Sequence, residues 1–145
     1  MIELLIAITI IAILIAVGTI SWTKAQEKAR DGKRKSDLKT TQQALEDYYR
    51  VKLYYPGDPD WPNSNWCAVI NGSNTQVKDT LVSNGYLQQM PADPDLSNDY
   101  VYDKKDRNKY ELYAKLENTN DPDRTGPYSP CNGAYSGYNF MVTSP

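Results

Sequence analysis

The chain has 145 residues, room for one modest domain plus an appendage, and its formal net charge of −2 gives no global field to draw in nucleic acid or a membrane surface. It contains no histidine, so the commonest general base and the commonest transition-metal ligand are both missing, and no catalytic residues are expected. The two cysteines, Cys67 and Cys131, lie far apart without zinc-type spacing. One disulfide and an oxidising, extracytoplasmic compartment is the simplest reading; two unpaired buried thiols are the alternative.

Residues 2–20 are Ile, Leu, Ala, Val, Thr and Gly apart from Glu3. As a helix they extend about 28 Å, enough to cross a bilayer core. A helix that is apolar on every side must be surrounded by lipid or by other apolar helices. The run has no basic leader and is too long for a cleaved signal peptide. Next come seven basic residues, Lys24, Lys28, Arg30, Lys33, Arg34, Lys35 and Lys39, against Glu27, Asp31 and Asp37, a balance of +4. Beyond Thr40 nine basic face fourteen acidic residues, a balance of −5, so one end of the molecule can attract the other end of a neighbour. DNA binding by the basic face is the less favoured alternative.

No proline interrupts this region, and small or apolar residues recur at Ala25, Ala29, Gly32, Leu38, Thr41, Leu45, Tyr48 and Lys52. The spacing predicts one continuous helix over residues 2–53, roughly 75 Å long, whose second half lays a stripe on a globular head. Pro56 in Tyr54-Tyr55-Pro56-Gly57 ends it. A loop rich in Pro, Asn and Asp is expected over residues 57–73, with Trp61 and Trp66 beside Cys67. A short helix is expected over 76–84, with Val77, Leu81 and Val82 inward and Gly85 as its stop. After the turn Ala92-Asp93-Pro94-Asp95, residues 99–104 and 109–117 read as a hairpin, with Tyr110, Leu112, Ala114 and Leu116 on one face. Residues 137–143 read as a last strand. The fold class is therefore α+β, with a small antiparallel sheet covering the amphipathic half of a long helix. Residues 1–22 form the apolar half; residues 23–145 form the head, including half-helix 23–53.

The segment Met1-Ile2-Glu3-Leu4-Leu5 and the apolar run behind it resemble the N-terminus of type IV pilins and type II secretion pseudopilins. Ala29-Arg30-Asp31, Leu45-Glu46-Asp47-Tyr48-Tyr49 and Tyr54-Tyr55-Pro56 are similar to the helix and helix end of related pilins. Tyr86-Leu87, Met90-Pro91, Asp93-Pro94 and the Tyr110-Glu111-Leu112 strand are similar to the head of the major pseudopilin. The resemblance implies a pilin-like fold and a structural subunit of an extracellular pilus serving adhesion, motility or DNA uptake. The subunit would be held by one span in the cytoplasmic membrane before assembly. A pseudopilin of type II secretion or competence is the alternative within the family; a single-pass protein with an extracellular binding head is the alternative outside it.

The resemblance also implies that Ile2, Glu3, Leu4 and Leu5 form the assembly contact, with Glu3 pairing the N-terminal amine of an adjacent subunit. It implies an inner-membrane assembly machinery, a prepilin peptidase, and a methylated mature N-terminus, so that Met1 is not expected to be the biological first residue. Many pilins carry Gly and Pro where this chain has Ala12 and Ile20, and the helix is expected to stay largely continuous in the polymer. The loop from Asn118 to Asp123 corresponds to the calcium loop of major pseudopilins, which implies Asp121, Asp123 and Glu117 as oxygen ligands. Read from the residues alone it is a plain acidic loop, and no other cofactor is expected. Asn71-Gly72-Ser73 is an N-glycosylation sequon. The twelve tyrosines are read as packing residues with polar rims.

Overall fold

A computed structural model describes residues 2–57, 66–70 and 76–145, with residues 17–21 described in backbone alone. Helix α1 runs unbroken over Ile2–Lys52, 51 residues, which is about 75 Å at 1.5 Å per residue. It ends one residue earlier than predicted. Leu53 takes a left-handed conformation (φ 61°), and its N–H still donates to the Tyr49 carbonyl at 2.8 Å. The exit is tied to the head: Arg107 Nε donates to the Leu53 carbonyl at 3.1 Å, and Tyr55 N–H donates to the Arg107 carbonyl at 3.2 Å.

Four strands follow, β1 (Trp66–Val69), β2 (Val101–Asp106), β3 (Lys109–Ala114) and β4 (Phe140–Thr143), with α2 (Gln76–Ser83) between β1 and β2. They form one antiparallel sheet in the order β1-β2-β3-β4. The expected α+β class is observed. Strand β1 falls inside the stretch expected to be loop; its register sets Cys67 opposite Asp103 and Val69 opposite Val101. Gly85, at φ 75°, ends α2 as expected, with Tyr86 N–H bonded back to the Leu81 carbonyl at 2.9 Å. Val77 and Leu81 of α2 are buried, and Val82 is half-buried.

Alternation along the strands gives the sheet two covered faces. Tyr102 of β2 and Tyr110, Leu112 and Ala114 of β3 pack on α1 with Leu38, Leu45, Tyr48 and Tyr55. Val101 and Tyr113 point the other way, under Tyr138 and half-buried Tyr128 and Cys131. The C-terminal segment is thus a third layer. Gly126 permits it: a β-carbon there would lie 2.6 Å from Asn139 Cα and from the Tyr138 carbonyl. The disulfide Cys67–Cys131 links this layer to β1, with Cα atoms 5.5 Å apart.

The stripe on α1 differs from the one expected. Ala25, Ala29, Gly32 and Lys52 are exposed, and the contact with the head begins with half-buried Arg30 and buried Asp31 and Arg34 before reaching Leu38, Thr41, Leu45 and Tyr48. The reason lies in the head. Below Leu38 it presents polar loops rather than the sheet, so charged side chains make the contact there. Met1, Trp61 and the sequon at Asn71 lie outside the described residues.

Candidate functional site

Two surfaces of α1 meet at about residue 22. On the N-terminal side every described side chain from Ile2 to Ala16 is exposed. Ten of them are large and apolar (Ile2, Leu4, Leu5, Ile6, Ile8, Ile10, Ile11, Ile13, Leu14 and Ile15), with 52 to 72 % of each accessible. Soluble domains rarely expose a contiguous apolar patch of this extent. Glu3 sits in the first turn among them, flanked by Ile2 (69 % exposed), Leu4 (72 %) and Leu5 (60 %), so the four expected assembly residues share one open helix end. Among the described residues no helix is long and apolar enough to cross a membrane; the described side chains of the expected span stop at Ala16.

On the C-terminal side α1 is locked to the head by charge. The Arg34 guanidinium, fully buried, donates to both oxygens of Asp93 at 2.8 Å, to Asp31 at 2.8 Å and to Glu117 at 2.6 Å. The carboxylates are held in turn. Asp31 accepts the backbone N–H of Glu117 (2.9 Å) and Asn118 (2.8 Å), Asp93 accepts that of Asp95 (2.8 Å), and Arg30 forks onto Glu117. Burial pulls the Arg34 pKa down, but the hydrogen bonds to Asp93, Glu117 and Asp31 outweigh it and raise it. The hydrogen bond from Arg30, joined by those from Arg34, holds Glu117 down at about 2. Among the described residues no buried side-chain nitrogen or oxygen lacks a partner.

The three expected calcium ligands are parted by this arrangement. Glu117 is engaged by Arg30 and Arg34, whereas Asp121 and Asp123 share the Lys35 ammonium, each at 2.6 Å. A protein cation already lies between the two aspartates, and the hydrogen bond from Lys35 lowers the Asp121 pKa. Among the described residues the one group close enough to share a metal ion is Cys67, Asp103 and Cys131, and its two sulfurs are bonded to each other. Asp103 has a different task there: it accepts the Cys131 N–H at 2.9 Å and the Lys105 ammonium at 2.6 Å, fixing the positive-φ corner at Cys131.

The basic run of α1 is therefore divided. Arg30, Arg34 and Lys35 are neutralised by the chain's own head. Lys24, Lys28, Lys33 and Lys39 are exposed and form no ion pair among the described residues. The tyrosines expected to pack do so: Tyr48, Tyr102 and Tyr110 are buried and Tyr49, Tyr54 and Tyr86 lie against the same core. Glu46 accepts from Tyr55 and Tyr110 hydroxyls at 3.0 and 2.8 Å, which anchors the upper core to α1. That role for Glu46, and the clasp around Arg34, are not evident in the sequence. The one signal for the clasp is that Asp31 and Arg34 continue the helical spacing of Leu38, Thr41 and Leu45. Compared with known proteins, the chain matches no family model, no curated sequence and no solved structure.

Proposed function

We propose that this chain is the structural subunit of an extracellular filament of the type IV pilus kind, polymerising helically through the apolar half of α1. One observation carries the reading: a continuous helix whose upper half is clasped to a disulfide-linked head and whose lower half exposes ten large apolar side chains on all sides. Burying them at roughly 1 to 2 kcal/mol each supplies on the order of 10 to 20 kcal/mol per subunit. That energy keeps the segment out of water in lipid and in the polymer alike, and the preference for the polymer over lipid comes from helix packing and polar contacts between subunits. The same surface holds the subunit in the membrane before assembly, with the head outside.

Glu3 has the register role. A carboxylate in an apolar filament core needs a cation, and a neighbour's terminal amine supplies one only when subunits stack correctly. The pilin-like resemblance of residues 1–5 and the open placement of Glu3 support this. The experiment is fractionation of producing cells, with mass spectrometry to identify this chain in sheared surface filaments. Long filaments made of it support the pilus subunit. Its confinement to the membrane, with short or no filaments, points instead to a pseudopilin or an anchored binding domain.

A further inference from the structure

Where the apolar half of α1 meets the head, the helix carries Trp22, 69 % exposed, followed by exposed Lys24 and Lys28. We propose that these three side chains form a collar that selects anionic phospholipid around the subunit before assembly; this rests on the membrane-held state described above. Their level on the helix fits. From Trp22 to Lys28 is about 9 Å along the axis, close to the 5 to 7 Å or so of one headgroup layer. Helical side chains lean toward the N-terminus, so both lysines reach back toward the apolar half, the direction in which long basic side chains meet phosphates. An indole at that depth suits the boundary between acyl chains and headgroups.

Charge partition on the helix gives the collar its specificity. Of the next four basic residues up, Arg30, Arg34 and Lys35 are occupied by Glu117, Asp93, Asp121 and Asp123, and only Lys33, about 7.5 Å beyond Lys28 along the axis, is exposed without an ion pair among the described residues. Lys24 and Lys28 form no ion pair among the described residues, and beside them lie the uncharged side chains of Asn118, Thr119 and Asn120 together with Glu27. Lys39 is equally exposed and lies about 22 Å farther along the axis than Lys24, beyond the headgroups. It provides a control of identical charge.

The full chain is reconstituted into mixed phosphatidylcholine and phosphatidylglycerol vesicles, with bromine placed on the acyl chains of one lipid at a time to quench Trp22; Trp22→Phe sets the background from Trp61 and Trp66. Each lysine near an anionic surface is worth about a fivefold preference, so phosphatidylglycerol is expected to be favoured at Trp22 about fivefold or more. The preference falls to near one in K24Q/K28Q and persists in K39Q. Equal quenching by both lipids in the wild type, or an equal loss in K39Q, overturns the collar alone. No quenching by either lipid overturns the membrane-held state as well.

Discussion

Replacing Arg34 by methionine removes a guanidinium of zero side-chain exposure and leaves the carboxylates of Asp93 and Asp31, at 0 and 2 % exposure, without their cation. Breaking a buried ion pair from one side costs about 3–5 kcal/mol, because the remaining charge stays desolvated. Asp31 keeps the N–H groups of Glu117 and Asn118 and Asp93 keeps that of Asp95, which sets the expectation near the lower bound. Against a total stability of roughly 5–15 kcal/mol, that is a large fraction. The assay is urea unfolding of the full chain in detergent, followed by near-ultraviolet circular dichroism of the head's tyrosines and tryptophans. R34M is expected to lose about 3 kcal/mol at neutral pH. R34M/D93N is expected to lose less than the sum of R34M and D93N. A loss below about 1 kcal/mol, or strict additivity of the pair, would refute the clasp as the anchor of α1.

Glu117, held at about 2 against an ordinary 4.5, contributes stability that is complete above the ordinary value and lost as pH falls through the folded one. Unfolding free energies of wild type and E117Q from urea titrations are therefore expected to differ by about 1–2 kcal/mol at neutral pH, allowing for solvent screening, and to converge between pH 4.5 and 2; a gap independent of pH contradicts this. Reducing Cys67–Cys131, 64 residues apart, removes a constraint worth about 4 kcal/mol on the chain-entropy model. Hydrogen exchange is expected to rise in residues 128–138 and β1 while residues 31–52 of α1 stay protected. With Lys35 between Asp121 and Asp123, wild-type thermal unfolding is expected to be indifferent to calcium and chelator, whereas K35M loses stability and regains part of it with calcium. Calcium-dependent stabilisation of the wild type would show the ion displacing the lysine.

Elements with strong local signals are legible in the sequence. The long helix follows from the absence of proline before Pro56, α2 from its apolar spacing and Gly85, and the hairpin from alternation in Tyr110, Leu112 and Ala114. What escapes depends on distant partners. β1 has a pattern of only four residues in a stretch rich in turn formers, and pairing with β2 and the disulfide fix it. β3 stops at Ala114 rather than 117 because the next N–H groups are claimed by side chains: Leu116 by Asn139, and Glu117 and Asn118 by Asp31. β4 starts at Phe140 rather than 137 because the Tyr138 and Asn139 carbonyls accept N–H groups from residues 125–128. β2 begins at Val101 rather than 99, and the Tyr100 carbonyl before it accepts the Ile70 N–H. The apolar surface of α1 was legible because nothing among the described residues covers it. The clasp was not, since an arginine on a helix reads as solvent-facing until Asp93 and Glu117 arrive from about 60 and 80 residues away.

Whether the apolar half of α1 builds a filament core is decided by helical reconstruction of filaments sheared from cells producing this chain. The expected result is a filament of this subunit with the apolar halves of α1 bundled at its axis, Glu3 against the N-terminus of a neighbour, and unbroken helix through Ala12. Apolar halves facing solvent or lipid, or a filament core built from another chain, would contradict it.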